Sequence, residues 1–132
     1  MMTLSKMIPA ALATAALAAA IPAAAARETG EARLEKILDG RVAGQPVDCL
    51  STQERRNLEV VDGTALVFKD GDTYYVNRPS GASFMHWSDI PVFKVWGSQM
   101  CSKDQVQLRD SATLMPGATM ILDKFVPYKH SR

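Results

Sequence analysis

Between Leu58 and Asn77 the chain carries three short apolar runs separated by two copies of one turn signal, Asp62 with Gly63 and Asp70 with Gly71. Such pairs accept the positive φ angles of a two-residue hairpin turn, so the stretch is expected to fold as a β-meander. A turn at 62 and 63 pairs Val61 with Thr64, Val60 with Ala65 and Leu58 with Val67. A turn at 70 and 71 pairs Val67 with Tyr74 and Ala65 with Val76. Alternation then gathers Leu58, Val60, Ala65, Val67, Tyr74 and Val76 on one apolar face. Glu59, Val61, Thr64, Leu66, Phe68, Thr73, Tyr75 and Asn77 share the other, where Leu66, Phe68 and Tyr75 need cover from more strands or a docked helix. A one-residue slip in either hairpin would break this set.

The first 26 residues read as a cleaved secretory signal peptide. Lys6 is their only charge, Met7 to Ile21 is uncharged and rich in alanine and leucine, and Ala24, Ala25 and Ala26 supply small residues before Arg27. A retained anchor is the alternative, but about 15 apolar residues fall short of the roughly 20 that span a bilayer as a helix. No cysteine stands at the cleavage point to carry a lipid. With Lys6 removed, the 15 basic residues of the chain fall level with its 14 acidic ones. A formally neutral chain argues against a general electrostatic grip on nucleic acid or anionic lipid. The membrane is therefore expected to matter only during export, through the leader.

Residues 27–45 read as an N-terminal helix and linker. Leu34, Ile37 and Leu38 recur at helical spacing and Gly40 offers a C-terminal stop. A helix of about ten residues is marginal alone and should form by docking its apolar stripe, as a lid on the sheet or as a partner-binding element. Residues 46–126 form the expected β domain. Pro46 opens an extended run to Leu50, Ser51 to Arg56 is a polar turn, and Arg78 to Ser83 is a loop. Val92 to Val95 and Gln105 to Leu108 read as strands, Pro116 and Gly117 as a turn, and Thr119 to Leu122 as a last strand. Residues 127–132 read as a basic tail that frays.

Cys49 and Cys101 bracket the meander and an aromatic segment. In an exported chain an even cysteine count invites pairing, so a Cys49–Cys101 disulfide is expected. A thiol nucleophile at Cys101 with His86 as base would need a free cysteine and an orienting third group. Metal binding by His86, Cys49 and Cys101 lacks a recognisable ligand spacing. No nucleophile elbow and no phosphate-binding glycine loop occurs, and Asp62, Asp70 and Asp72 are accounted for by turns. The sequence thus assigns no catalytic residue, no metal and no cofactor.

One binding constellation stands out among the aromatics. Tyr75 beside Asn77, with Trp87 or Trp96 nearby, could form a stacking platform for sugars, bases or peptides. Core packing is the competing role, since a domain of this size is expected to need nearly all its aromatics inside.

Four segments carry a resemblance: GRVAGQPVDCL (Gly40–Leu50), YVNRP (Tyr75–Pro79), GSQMCS (Gly97–Ser102) and FVPY (Phe125–Tyr128). Together they resemble a family of small exported proteins of Gram-negative bacteria of unknown function. The resemblance implies a signal peptide and the two cysteine-bearing segments, and transfers no catalytic residue. The chain departs from it in a more polar segment after Cys49. The resulting expectation is a mainly β protein, a small antiparallel sheet or partly open barrel with a short N-terminal helix, exported to the periplasm or the medium. Its expected role is non-enzymatic binding of a protein partner or small ligand in the cell envelope. An inhibitor or accessory subunit that recruits its partner through exposed strand edges is the alternative, and a small hydrolase or thiol enzyme is a third.

Overall fold

The computed structural model describes residues 27–131, together with 11 and 13–16. The expected leader, apart from those few positions, lies outside the described residues. Among the described residues one α-helix, α1 (Gly30–Ile37), precedes ten strands: β1 (Arg41–Ala43), β2 (Cys49–Leu50), β3 (Leu58–Val61), β4 (Ala65–Asp70), β5 (Thr73–Asn77), β6 (Ile90–Phe93), β7 (Met100–Cys101), β8 (Gln105–Arg109), β9 (Pro116–Ile121) and β10 (Val126–His130). They form three antiparallel sheets, ordered β1-β10-β5-β4-β3, β6-β8-β9 and β2-β7. The fold is mainly β, and none of the sheets closes into a barrel.

The meander forms, but in a different register. Val61 pairs with Ala65 and Leu58 with Phe68, so the first loop holds three residues instead of two. Thr64 is drawn into it: its hydroxyl donates to the Asp62 carbonyl (2.9 Å) and its amide to the Val61 carbonyl (3.0 Å). This one-residue slip turns β3 over relative to β4. In the second hairpin Asp70 pairs with Thr73, so the loop is Gly71 and Asp72, with the glycine first at φ +55°. That slip is of two residues and leaves the faces of β4 and β5 unchanged. Leu58, Val60, Leu66, Phe68, Tyr75 and Asn77 therefore share one face, and Glu59, Val61, Ala65, Val67, Tyr74 and Val76 the other.

Each face has its own core. On one side Val61, Ala65, Val67 and Val76 are covered by Leu34 of α1, with Ile37, Leu38, Tyr74 and Tyr128 around them. The helix is capped by Thr29, whose hydroxyl accepts from the Ala32 amide (3.1 Å). Ion pairs hold it at both flanks, Glu31 with Arg78 (2.6 Å) and Arg33 with Glu59 (2.7 Å). It is a lid on the sheet. On the other side Leu66 and Phe68 pack with Val106, Leu108 and Met120 of the three-stranded sheet, and with Leu50, Met85, Met100 and Phe125. Unbranched, polarisable methionines suit the irregular space where three small sheets meet.

The ends of the domain differ from expectation. The segment expected to fray is β10, which lies between β1 and β5. The expected linker contains β1, held by Arg41, whose guanidinium stacks 3.6 Å over the Tyr74 ring and donates to the Asp72 carbonyl. Pro127 is tolerated inside this sheet because its nitrogen points where β1 has ended. Its carbonyl, directed to the same side, accepts from the Gly44 amide (2.7 Å). Pro116 and Gly117 open β9, and the preceding turn is set by Asp110, whose carboxylate accepts from the Ala112 and Thr113 amides. Cys49 pairs with Cys101 across β2 and β7, and the two form a disulfide.

Candidate functional site

The four aromatic-platform residues are placed apart. Asn77 is completely buried and clamps the chain 46 residues on: its Nδ2 donates to the Asp123 carbonyl (2.6 Å) and its Oδ1 accepts from the Asp123 amide (3.1 Å). Tyr75 packs against the larger core. Burial and the neighbouring Glu54 carboxylate push its phenol up to about 12. The two tryptophans are not in either core; Trp87 is 74% exposed and Trp96 87%. They line separate clefts, so Tyr75, Asn77, Trp87 and Trp96 make no common platform. Cys49 and Cys101 are bonded to each other, which removes both the thiol nucleophile and the thiolate ligands. Among the described residues no three His, Cys, Asp or Glu side chains gather to hold a metal ion.

What the fold does assemble is a ridge built around Met85. The short 3₁₀ turn Ala82–Phe84 delivers Met85 into the core, where it is buried, while Phe84 before it is 67% exposed and Trp87 after it projects outward. The ridge backbone is pinned to the first hairpin loop. The Gly63 amide donates to the Met85 carbonyl (2.8 Å) and the Trp87 amide to Asp62 Oδ1 (3.2 Å). His86 Nδ1 stands 3.5 Å from the same Asp62 oxygen, and the His86 amide donates to Asp89 Oδ2 (2.9 Å). Asp62 thus shapes a turn and also holds the ridge. Two large apolar rings are displayed on a backbone that has little freedom to withdraw them.

The ridge separates two clefts. On the Phe84 side a groove of about 350 Å³ includes Met115, itself 65% exposed. On the Trp87 side a cleft of about 570 Å³ runs between the start of α1 and β3, and Leu58, Glu59 and Val60 form its floor. β3 is the last strand of the five-stranded sheet. The Lys69 amide donates to the Asn57 carbonyl (2.8 Å), so alternation directs the backbone of Asn57, Glu59 and Val61 to β4 and that of Leu58 and Val60 outward. Among the described residues nothing pairs with that outer edge.

The charges around the cleft are largely spent on holding it together. Glu59 accepts from Lys69 Nζ (2.7 Å) and from Arg33 Nη2 (2.7 Å). Burial opposes its ionisation, yet these two partners prevail and hold its carboxyl below the usual glutamate range. Every buried side-chain nitrogen and oxygen among the described residues has a partner. The surface therefore offers apolar rings and an unpaired strand edge, features that suit a polypeptide. The sequence flagged Trp87 but attached it to the wrong neighbours. Phe84 and the outward backbone of Leu58 and Val60 were missed; the only signal for them was aromatic density just past the meander. No protein-family model matches the chain, and neither does any curated protein or solved structure.

Proposed function

We propose that this chain is a non-enzymatic exported protein that binds a protein partner of the cell envelope, gripping an extended segment along the free edge of β3 beside the Phe84–Trp87 ridge. The observation that carries this reading is the juxtaposition of an unpaired strand edge with a rigidly held, exposed tryptophan. Main-chain pairing along an edge supplies affinity for any extended segment, and flanking aromatic anchors supply selectivity. Export is supported by the Cys49–Cys101 disulfide, since such bonds persist in oxidising compartments, and by the leader-like composition of residues 1–26. The resemblance to small exported proteins of Gram-negative bacteria points to the same compartment.

The test is co-purification of the tagged chain from the exported fraction, as wild type, as the Phe84→Ala/Trp87→Ala double variant and as Trp96→Ala. The expected result is one polypeptide held in stoichiometric amount by wild type and Trp96→Ala and lost from the double variant. A polypeptide retained by the double variant would contradict the assignment to the ridge. A small molecule in place of a polypeptide in the native mass would favour the ligand-binding alternative.

A further inference from the structure

The outer face of the β6-β8-β9 sheet mixes aliphatic and basic side chains. Its register places Ile90 opposite Arg109, Val92 opposite Gln107, Gln105 opposite Ile121 and Gln107 opposite Thr119. The Lys94 amide donates to the Gln105 carbonyl (2.9 Å), which carries the β6 alternation onward through Lys94 to Trp96. Ile90, Val92, Lys94, Trp96, Gln105, Gln107, Arg109, Thr119 and Ile121 thus lie on one side, and the inward residues Phe93, Val95, Val106, Leu108 and Met120 belong to the core. The outward set holds three exposed aliphatic side chains and the most exposed aromatic ring of the described residues, with two cations and no carboxylate.

A third cation joins at the rim. Lys103, in the left-handed conformation at φ +73°, lines a cleft of about 310 Å³ together with Trp96, Lys94, Gln105 and one carboxylate, Asp104. Lys94, Lys103 and Arg109 form no ion pair among the described residues. Two acids border the face and stay charged while bound to backbone: Asp104 accepts from the Cys101 amide (2.8 Å), and Asp110 from the Ala112 and Thr113 amides. Three basic side chains without an ion pair thus surround a tryptophan on this face, against two carboxylates at its border. Trp rings favour the headgroup level of a bilayer, and lysine and arginine near an anionic leaflet add attraction within a Debye length.

We propose that this face is a docking surface for an anionic phospholipid bilayer, with Trp96 entering the interface and Lys94, Lys103 and Arg109 meeting lipid phosphates. The proposal is independent of the Phe84–Trp87 ridge, and together the two surfaces would place a bound partner at a membrane.

Vesicle binding of the purified full mature chain tests it, with a Trp87→Phe background leaving Trp96 as the only tryptophan. Vesicles of phosphatidylglycerol mixed with phosphatidylcholine should shift Trp96 emission to the blue and sediment the protein, and pure phosphatidylcholine should do neither. Lys94→Gln and Lys103→Gln should each weaken the apparent affinity about fivefold, and the double variant on the order of 25-fold. Raising the salt should release the protein. Equal binding to both vesicle types, an unshifted Trp96 emission or an unaffected double lysine variant would each overturn the assignment. So would a soluble acidic polysaccharide held as tightly as the anionic vesicles, which would identify a glycan site instead.

Discussion

Cys49 and Cys101 stand directly opposite each other across β2 and β7, with Cα atoms 4.0 Å apart and their sulfurs bonded. The pair is 52 residues apart in sequence, and it fixes the two-stranded sheet against the larger core through Leu50 and Met100, both fully buried. For a loop of that length the chain-entropy model gives roughly 4 kcal/mol. Reduction, Cys49→Ser and Cys101→Ser should lower the melting temperature by similar amounts, each by well over about 10 °C. A melt insensitive to reductant would show that the bond contributes nothing.

Asn77 closes the domain from within. Its amide satisfies both backbone groups of Asp123, near the point where the chain turns from β9 toward β10. Asn77→Leu leaves that donor and acceptor without partners, at about 1–3 kcal/mol for each unsatisfied group. A drop in the urea midpoint worth roughly 3 kcal/mol is expected. Asn77→Asp retains the acceptor but loses the donor and buries a charge, so it should do no better.

Gly30 opens α1 where the helix crosses the first hairpin loop. A Cβ there would lie 2.0 Å from both the Asp62 carbonyl oxygen and Thr64 Oγ1. Replacing glycine by alanine in a helix ordinarily gains up to about 1 kcal/mol. Here Gly30→Ala is expected to destabilise, because the backbone oxygen of Asp62 cannot move without releasing the ridge it supports. Equilibrium denaturation reads the sign directly; a stabilised variant would mean the helix can shift freely off the loop.

Glu59 joins α1 to the sheet through Arg33 and Lys69. Its carboxyl titrates below the ordinary 4.5 in the folded protein. The stability it contributes is therefore fully present above 4.5 and lost as the pH falls through the lower folded value. Because both cations reach solvent, the network is worth on the order of 1 kcal/mol. Glu59→Gln should be less stable than wild type by about that amount near pH 7, and the two should converge as the pH falls through the folded value. A constant difference across that range would assign the effect to packing.

The sequence made the meander legible because Asp-Gly pairs are local signals, and it made the disulfide legible because only two cysteines exist. Register was less accessible. Thr64 entered the first loop through its bond to the Asp62 carbonyl, and that loop is braced by Met85 from a distant segment. β10 was hidden because Pro127 and a basic end resemble a tail; its place depends on Gly44 and Tyr75, far away in sequence. The tryptophans were expected inside, but Phe68, Phe125 and three methionines fill the core. With those positions taken, Trp87 and Trp96 were left on the surface. No periodicity within a loop could reveal the ridge, because its shape comes from contacts with the hairpin.

The open β3 edge beside Trp87 is proposed to take up a strand from a partner. Residue-resolved amide hydrogen exchange tests it most directly, first on the protein alone and then with its co-purified partner. In the free protein the Leu58 and Val60 amides should exchange fast while Glu59 and Val61 are protected, and addition of the partner should protect Leu58 and Val60 as well. If Leu58 and Val60 are already protected in the free monomer, or remain fast in the complex, the edge is not the binding site.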